Sequence, residues 1–365
     1  MAAAYPERVI PGDIGTQLAA ILRAAAAAGE LPPQAGTMMA AGTWRRAPAT
    51  AGGGPGSYAT SLPFALARLT GRPPAGLAAI LAGRLRGAAG VRAAMATGAG
   101  YLTVAVTDAA LTGLAPRIAA AGPACARSTA LAGTSLPGQP EPDLAAAVSW
   151  TQAWRWQSGA VTARLAAAAG ATIINTAKRD LPAAPDPPPG PAAVAVAIEY
   201  AGLDGVRYAL TRTAADRAGV MGRLICVSHD RENPFYSVSL AHADAASTLR
   251  WASDLQLSRG GPGALAAGRL DHPGERELLD ELSWLPERVA GAARRGQPHQ
   301  LAAYLEDLAA AWLRCRESCP ALPFGGLAAP RDAGGIAARL WLADAARTAL
   351  AAGLALMGVA APERL

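Results

Sequence analysis

The stretch NPFYSVSLAHADAASTLR, residues 233–250, decides how the C-terminal half of this chain is interpreted. It opens with Asn233-Pro234, and proline is accepted in the first turn of a helix because its missing N–H leaves no hydrogen bond unmade there. Apolar side chains then recur at helical spacing, at Val238, Ala241, Ala245 and Leu249. The stretch therefore predicts an amphipathic helix that begins directly after a turn.

The composition limits the class of protein. A chain of 365 residues is long enough for two or three domains, each with its own core. It has no uninterrupted apolar run of about 18 residues, so we expect no membrane-spanning helix. The first residues lack a basic segment followed by an apolar core, so we expect no signal peptide and a cytoplasmic location. The four cysteines, of which Cys315 and Cys319 lie one helical turn apart, predict free thiols and no metal site.

The charge of the chain permits a nucleic-acid partner without requiring one. The formal net charge is +6, and Lys178 is the single lysine, so almost all basic charge is arginine. Arginine binds phosphate well because its planar guanidinium donates two hydrogen bonds at once. A GC-rich coding sequence would also enrich arginine, alanine, glycine and proline. Basic charge alone is therefore weak evidence for RNA binding.

The C-terminal half resembles the DALR-type anticodon-binding domain of arginyl-tRNA synthetases. In that family the helix begins with an N-P motif, and residues 233–250 match it at Asn233, Pro234, Val238, Ala241, His242 and Ala243. Two helical segments follow, separated by Gly296-Gln297-Pro298, and the chain closes with the family-like ending Ala361-Pro362-Glu363-Arg364. The resemblance implies an all-α anticodon-binding helix bundle over residues 194–365.

The N-terminal residues resemble the additional N-terminal domain of the same synthetases. The family pattern is matched at Gly56, Tyr58, Gly71, Pro73, Pro74, Gly98, Gly100, Tyr101 and Leu102. The resemblance implies an α+β domain over residues 1–118, with a small antiparallel sheet, that grips the D-loop corner of tRNA. Thr103 stands where the family has asparagine and offers fewer hydrogen bonds, which argues against base-specific reading.

Residues 119–193 resemble at most a degenerate remnant of a synthetase catalytic domain. The sequence QSGAVTARLAAAAGATI, residues 157–173, resembles the helix that follows the family's H-I-G-H motif, and Ala153-Trp154-Arg155-Trp156 then occupy the motif itself. No K-M-S-K-S-like loop follows. We therefore expect no aminoacylation, no ATP and no other cofactor. The segment is predicted to be irregular and to end in a Pro-rich linker over residues 182–191.

These resemblances predict a mostly helical α+β chain and a set of RNA contacts. Unpaired bases are recognised by aromatic stacking and polar contacts, and phosphates by arginine. By family position or charge, the candidate RNA-binding residues are Tyr58, Tyr101, Thr103, Arg207, Tyr236, Tyr304, Trp312, Arg339, Arg347 and Arg364. Ser237 and Leu240 replace tyrosines of the family and Asp244 replaces an arginine, which argues against intact reading of an arginine anticodon.

Three functions fit this sequence. The leading interpretation is a non-catalytic synthetase paralogue that binds tRNA or tRNA-like RNA through an elbow-binding and an anticodon-binding domain. The alternative is a protein-interaction or regulatory module that has lost RNA binding, with the true arginyl-tRNA synthetase as a candidate partner. New enzymatic chemistry in residues 119–193 ranks last, because that segment has no recognisable catalytic constellation.

Overall fold

The computed structural model describes residues 11–38, 44–49, 52–138, 141–174, 193–214, 232–261, 265, 270–323 and 333–365. The helices are α1 (Gly12–Ala27), α2 (Leu62–Thr70), α3 (Pro74–Leu85), α4 (Asp108–Thr112), α5 (Leu114–Ala121), α6 (Trp150–Ala168), α7 (Ala193–Arg212), α8 (Pro234–Asp254), α9 (Pro273–Ser283), α10 (Leu285–Arg295), α11 (His299–Ser318) and α12 (Ala333–Met357). The strands are β1 (Trp44–Arg46), β2 (Ser57–Thr60), β3 (Val91–Thr97), β4 (Tyr101–Val106), β5 (Ser135–Pro137) and β6 (Thr172–Ile174). The mostly helical α+β class is thereby confirmed.

The chain divides into two compact units. The first unit comprises Met1–Ala121, Leu255–Glu287 and Cys315–Ala345, and the second comprises Gly122–Asp254, Arg288–Arg314 and Ala346–Leu365. Helices α10, α11 and α12 each contribute residues to both units. The predicted segments 1–118, 119–193 and 194–365 describe resemblance in sequence rather than packing, and they stay a prediction.

A four-stranded antiparallel sheet with the order β1-β2-β4-β3 lies in the first unit. Tyr58 of β2 pairs with Val104 of β4, which gives these central strands their register. Between β3 and β4 the chain bends at Gly98–Gly100, where Gly100 has φ 129° and a Cβ atom would lie 2.6 Å from Pro74 Cβ. Only glycine fits that conformation and that space. The small antiparallel sheet predicted near the N-terminus is confirmed.

Helix α9 packs with the N-terminal residues in this first unit. The Asp280 carboxylate accepts hydrogen bonds from the Gly56 backbone N–H at 3.0 Å and from Arg46 Nε at 2.9 Å. The Tyr58 hydroxyl donates to Ser283 Oγ at 3.0 Å inside the core. A helix from the C-terminal half thus completes the unit that holds the sheet.

The sequence predicted an irregular middle segment, and this prediction is wrong. The middle of the chain contains a β-α-β unit. Strands β5 and β6 pair in parallel, and α6 supplies the crossover that parallel neighbours require. Ser149 caps α6, because its Oγ accepts a hydrogen bond from Gln152 N at 3.2 Å. The strands are three residues long, too short for a periodic pattern to reveal them. The predicted Pro-rich linker, residues 182–191, lies outside the described residues.

An aromatic cluster joins α6 to α7 in the second unit. Trp150, Trp154 and Trp156 pack against a buried core that includes Val206 and Leu210. The indole Nε1 of Trp154 donates to Thr213 O at 3.0 Å. Two of these indoles occupy the position that resembles H-I-G-H, and here they serve as packing residues.

Helix α8 forms as the stretch 233–250 predicts. Asn233 Oδ1 accepts hydrogen bonds from the backbone N–H groups of Phe235 and Tyr236 at 3.1 and 3.4 Å, which caps the first turn. Its buried face includes Val238, Ala241 and Ala245. Where α11 and α12 approach one another in the second unit, a Cβ atom on Gly353 would lie 2.4 Å from Leu305 Cδ2, so a small residue is needed there.

One helix within the described residues, Gly334–Met357, is long and apolar enough to cross a membrane by length and composition. From the sequence we expect no membrane-spanning helix. Of its most apolar window, 78% is buried inside the structure. Burial to this extent is typical of a helix in the core of a folded domain.

Candidate nucleic-acid interface

Four of the predicted RNA contacts are core residues, and their prediction is corrected. They are Tyr58, Thr103, Tyr304 and Trp312, and all four are buried. Thr103 Oγ1 lies 2.8 Å from Thr97 Oγ1, and the Trp312 indole N–H donates to Asp244 Oδ2 at 3.1 Å. Side chains without exposed surface cannot stack on a base. Asp244, which stands where the family has arginine, serves here to hold a buried indole.

Two predicted arginine contacts, Arg207 and Arg339, are partly buried and already bonded within the protein, and their RNA role stays a prediction. Arg207 donates through Nη1 to Gly358 O at 2.9 Å and through Nη2 to Glu141 Oε1 at 2.8 Å. Arg339 donates through Nε to Glu275 Oε1 at 2.7 Å, and Glu275 is 0% exposed. Arg339 thus neutralises a buried carboxylate, and removing it would be costly, whereas the carboxylate partner of Arg207, Glu141, is exposed.

Tyr101 and Tyr236 stay predictions. The Tyr101 ring is half-buried, with the Arg45 guanidinium 3.7 Å above its centroid and Phe64 packed edge-on at 4.9 Å. Arg45 therefore already covers one face on which a base would stack. Tyr236 is half-buried in the first turn of α8.

The remaining two predicted residues, Arg347 and Arg364, belong to one exposed surface of the second unit. Arg364 lines a cavity of about 380 Å³ together with Arg250, Trp251, Ser253 and Asp254 at the end of α8. Glu363 lies between two arginines, 3.8 Å from Arg250 Nη1 and 3.7 Å from Arg347 Nη1. We call the set Arg250, Trp251, Arg347, Glu363 and Arg364 the Trp251 surface.

Trp251 is the functional candidate that sequence reasoning missed. Its side chain is 52% exposed, so a large part of the indole face is open to solvent. On α8 it follows Asp244 and Ser247 at helical spacing, and both of these are only partly buried, whereas Thr248 and Ala252 are buried. An aromatic residue on the polar face of an amphipathic helix was the available signal, because the core does not require it there.

His242 holds the segment after α12 against α8. The ring is buried, and Nδ1 lies 2.8 Å from Pro362 O, a hydrogen bond that requires the proton on Nδ1. Burial lowers the pKa of His242, which favours the neutral ring. Because Pro362 is fixed in this way, Glu363 and Arg364 are placed beside Arg250 and Trp251.

The Trp251 surface offers an indole face and guanidinium groups, a set that suits stacking and phosphate contact rather than bond-making chemistry. Among the described residues no group of His, Cys, Asp and Glu side chains could hold a metal ion. The thiols of Cys315 and Cys319 are buried and free, and burial raises the pKa of Cys315 to about 12. The described cysteines are therefore packing residues.

Comparison with known proteins places this surface in a recognised domain. Residues 238–365 match the family described as the DALR anticodon binding domain. The chain is 39% identical over 171 residues to the arginine–tRNA ligase of Paenarthrobacter aurescens strain TC1, covering 46% of this chain and 30% of that protein. It is 37% identical over 169 residues to the arginine–tRNA ligase of Frankia alni, again 30% of that protein. The aligned part is thus about 30% of the length of these curated relatives.

The fold is also similar to that of a solved structure. The chain superposes on the solved structure of Thermus thermophilus arginyl-tRNA synthetase with a TM-score of 0.60 and 16% sequence identity, over 96% of this chain and 100% of that one. At this identity the likeness shows the fold alone. Residues 238–365 match the DALR anticodon binding domain, and the C-terminal half of the chain is homologous to arginine–tRNA ligases.

Proposed function

We propose that this protein binds tRNA, or an RNA with a tRNA-like loop, through the Trp251 surface, and that it does not attach an amino acid to it. The observation that carries the proposal is the half-exposed indole of Trp251 beside Arg250 and Arg364, around one cavity in an anticodon-binding domain. Such a site suits an unpaired base next to its phosphates.

The charges of the surface fit a moderate affinity. Glu363 stands 3.7 to 3.8 Å from the guanidinium groups of Arg250 and Arg347, and its side chain is exposed. Exposed ion pairs of this kind contribute only about 0–1 kcal/mol, so a phosphate can replace the carboxylate at little cost. Arg364 is exposed and lines the same cavity. The surface thus offers up to three guanidinium groups to an RNA backbone.

The non-catalytic part of the proposal rests on the middle segment. Trp154 and Trp156, which occupy the position resembling H-I-G-H, pack in the aromatic cluster of α6 and α7. Indoles supply neither the acid–base groups nor the small backbone turn that nucleotide binding by a helix N-terminus needs. The proposal includes a cytoplasmic location, no use of ATP and no membrane partner.

Binding of the purified chain to RNA tests this function. An anticodon stem-loop is compared with a fully paired duplex of the same composition, and the affinity is measured over a range of salt concentrations. We expect tighter binding to the stem-loop and a slope of about −2 in log affinity against log salt, for three phosphate contacts to unpaired RNA. Equal binding to the duplex would contradict the loop site, and charging of tRNA with arginine would contradict the non-catalytic part.

One observation favours the alternative, a protein-interaction or regulatory module. On α7, Val196 is 46% exposed and Tyr200 is 72% exposed, and their spacing of four places them on one face of the helix. An apolar helical stripe of this kind is typical of a protein-docking face. If the chain binds neither RNA, we would turn to this face and to a protein partner such as the true arginyl-tRNA synthetase.

A further inference from the structure

We propose that Gln157, Arg164, Asp204 and Arg207 are positioning residues, which hold the segment after α12 so that Arg364 lies at the Trp251 surface. The inference rests on the proposed function for its RNA readout. It gives the middle of the chain a role beyond that of a spacer, because these four side chains come from α6 and α7.

Three of the four side chains donate hydrogen bonds to consecutive backbone carbonyls. Arg164 Nε bonds to Leu356 O, Gln157 Nε2 to Met357 O and Arg207 Nη1 to Gly358 O, each at 2.9 Å. The last carbonyls of a helix have no partner within the helix. Two neighbouring helices thus supply those partners at the end of α12.

The fourth side chain fixes the segment beyond the helix. Asp204 Oδ2 accepts a hydrogen bond from the Ala360 backbone N–H at 3.0 Å. Glu141 links the two arginines, since it accepts from Arg164 Nη1 at 2.5 Å and from Arg207 Nη2 at 2.8 Å. The backbone is therefore held at residues 356, 357, 358 and 360 by side chains of α6 and α7.

The side chains around Met357 and Gly358 are closely packed as well as hydrogen-bonded. Gln157 is buried, and it bonds to Thr211 Oγ1 as well as to Met357 O. Gly358 has φ 73°, and a Cβ atom there would lie 2.8 Å from Arg164 Nη2. Two residues after Ala360, the carbonyl oxygen of Pro362 accepts a hydrogen bond from His242. Arg364, two residues further on, lines the cavity beside Trp251. Release of Ala360 would free the stretch that carries Arg364.

A pair of variants at Asp204 separates positioning from charge. Asp204→Ala removes both the negative charge and the acceptor for Ala360 N–H, whereas Asp204→Asn removes the charge and keeps an oxygen acceptor. If Asp204 acted only through its charge, both variants would bind the anionic RNA more tightly than the wild type. If Asp204 holds the segment in place, Asp204→Ala alone should bind the RNA more weakly. Glu199→Ala is the matched control, because it removes an exposed acid from α7 on the other side of the non-helical Gly202.

The experiment measures hydrogen–deuterium exchange of residues 356–364 and affinity for the anticodon stem-loop in each variant. We expect faster exchange and about fivefold weaker RNA binding in Asp204→Ala, with Asp204→Asn and Glu199→Ala at or above the wild-type affinity. Unchanged exchange in Asp204→Ala would overturn the proposal, as would faster exchange with unchanged or tighter binding.

The exchange readout keeps this proposal distinct from the proposed function. If the wild-type chain binds no RNA, the RNA role fails for the whole surface. Faster exchange in Asp204→Ala and not in Asp204→Asn would then still show that Asp204 holds the segment, while its positioning role toward RNA would be overturned. If the wild-type chain binds RNA and the two Asp204 variants behave alike, only the positioning inference fails.

Discussion

Replacing Trp251 with alanine is expected to weaken binding of an anticodon stem-loop by about tenfold or more, because stacking of one base on an aromatic side chain contributes about 1–3 kcal/mol. The indole is 52% exposed, so its loss removes little buried apolar area. The thermal midpoint of unfolding should therefore stay close to that of the wild type. Affinity is measured by titration of labelled RNA, and stability by thermal unfolding.

Two further variants show whether the effect belongs to stacking at this surface. Trp251→Phe keeps an aromatic face and should retain most of the affinity. Tyr200→Ala removes a more exposed aromatic ring from the same unit, outside the Trp251 surface, and should leave RNA binding unchanged. If Trp251→Ala binds the stem-loop as tightly as the wild type, the indole is not an RNA contact.

Replacing Arg339 with methionine is expected to destabilise the folded chain by about 3–5 kcal/mol, the cost of breaking a buried ion pair on one side. Glu275 is 0% exposed. It accepts from Arg339 Nε at 2.7 Å through Oε1, while its Oε2 accepts from the His272 backbone N–H at 3.1 Å in the cap of α9. Without the guanidinium, a buried carboxylate keeps one hydrogen bond and loses its counter-charge. Chemical denaturation measures the loss in free energy of unfolding.

The neighbouring ion pair supplies a matched control. Arg276 pairs with Asp108 at 2.5 Å, and half of the Asp108 side chain is exposed. Arg276→Met should therefore cost less than about 1 kcal/mol. Adding Glu275→Gln to Arg339→Met should restore part of the stability, because the buried charge is then removed. A stable Arg339→Met variant with weakened RNA binding would instead return Arg339 to the role that the sequence predicted.

Local pattern was sufficient to predict several elements. Pro234 and the spacing from Val238 to Leu249 predicted α8, and Gly98 and Gly100, matched there to the family pattern, lie at the bend between β3 and β4. These signals are local, since a turn residue or a periodic stripe acts within a few residues. The small sheet and the helical C-terminal half followed from them together with the family resemblance.

Assignment of contacts failed where burial depends on the rest of the chain. Tyr304 and Trp312 lie on α11 with Leu301, Leu305 and Leu308, all buried, so the helix has apolar residues on more than one face. Periodicity cannot tell which aromatic of such a helix faces solvent. Arg207 and Arg339 were predicted as RNA contacts from family position or charge, and the carboxylates that they bond lie 66 and 64 residues away in sequence. Only the folded chain brings such partners together.

Crosslinking of RNA to the wild-type chain, with mass spectrometry of the crosslinked peptides, tests most directly whether the Trp251 surface is the RNA site. A stem-loop with photoreactive bases in its unpaired loop is bound and irradiated. We expect crosslinks in peptides that contain residues 250–254 or 361–365, which line or adjoin the cavity. Crosslinks confined to the region of Tyr101, or their complete absence with RNA bound, would contradict this expectation.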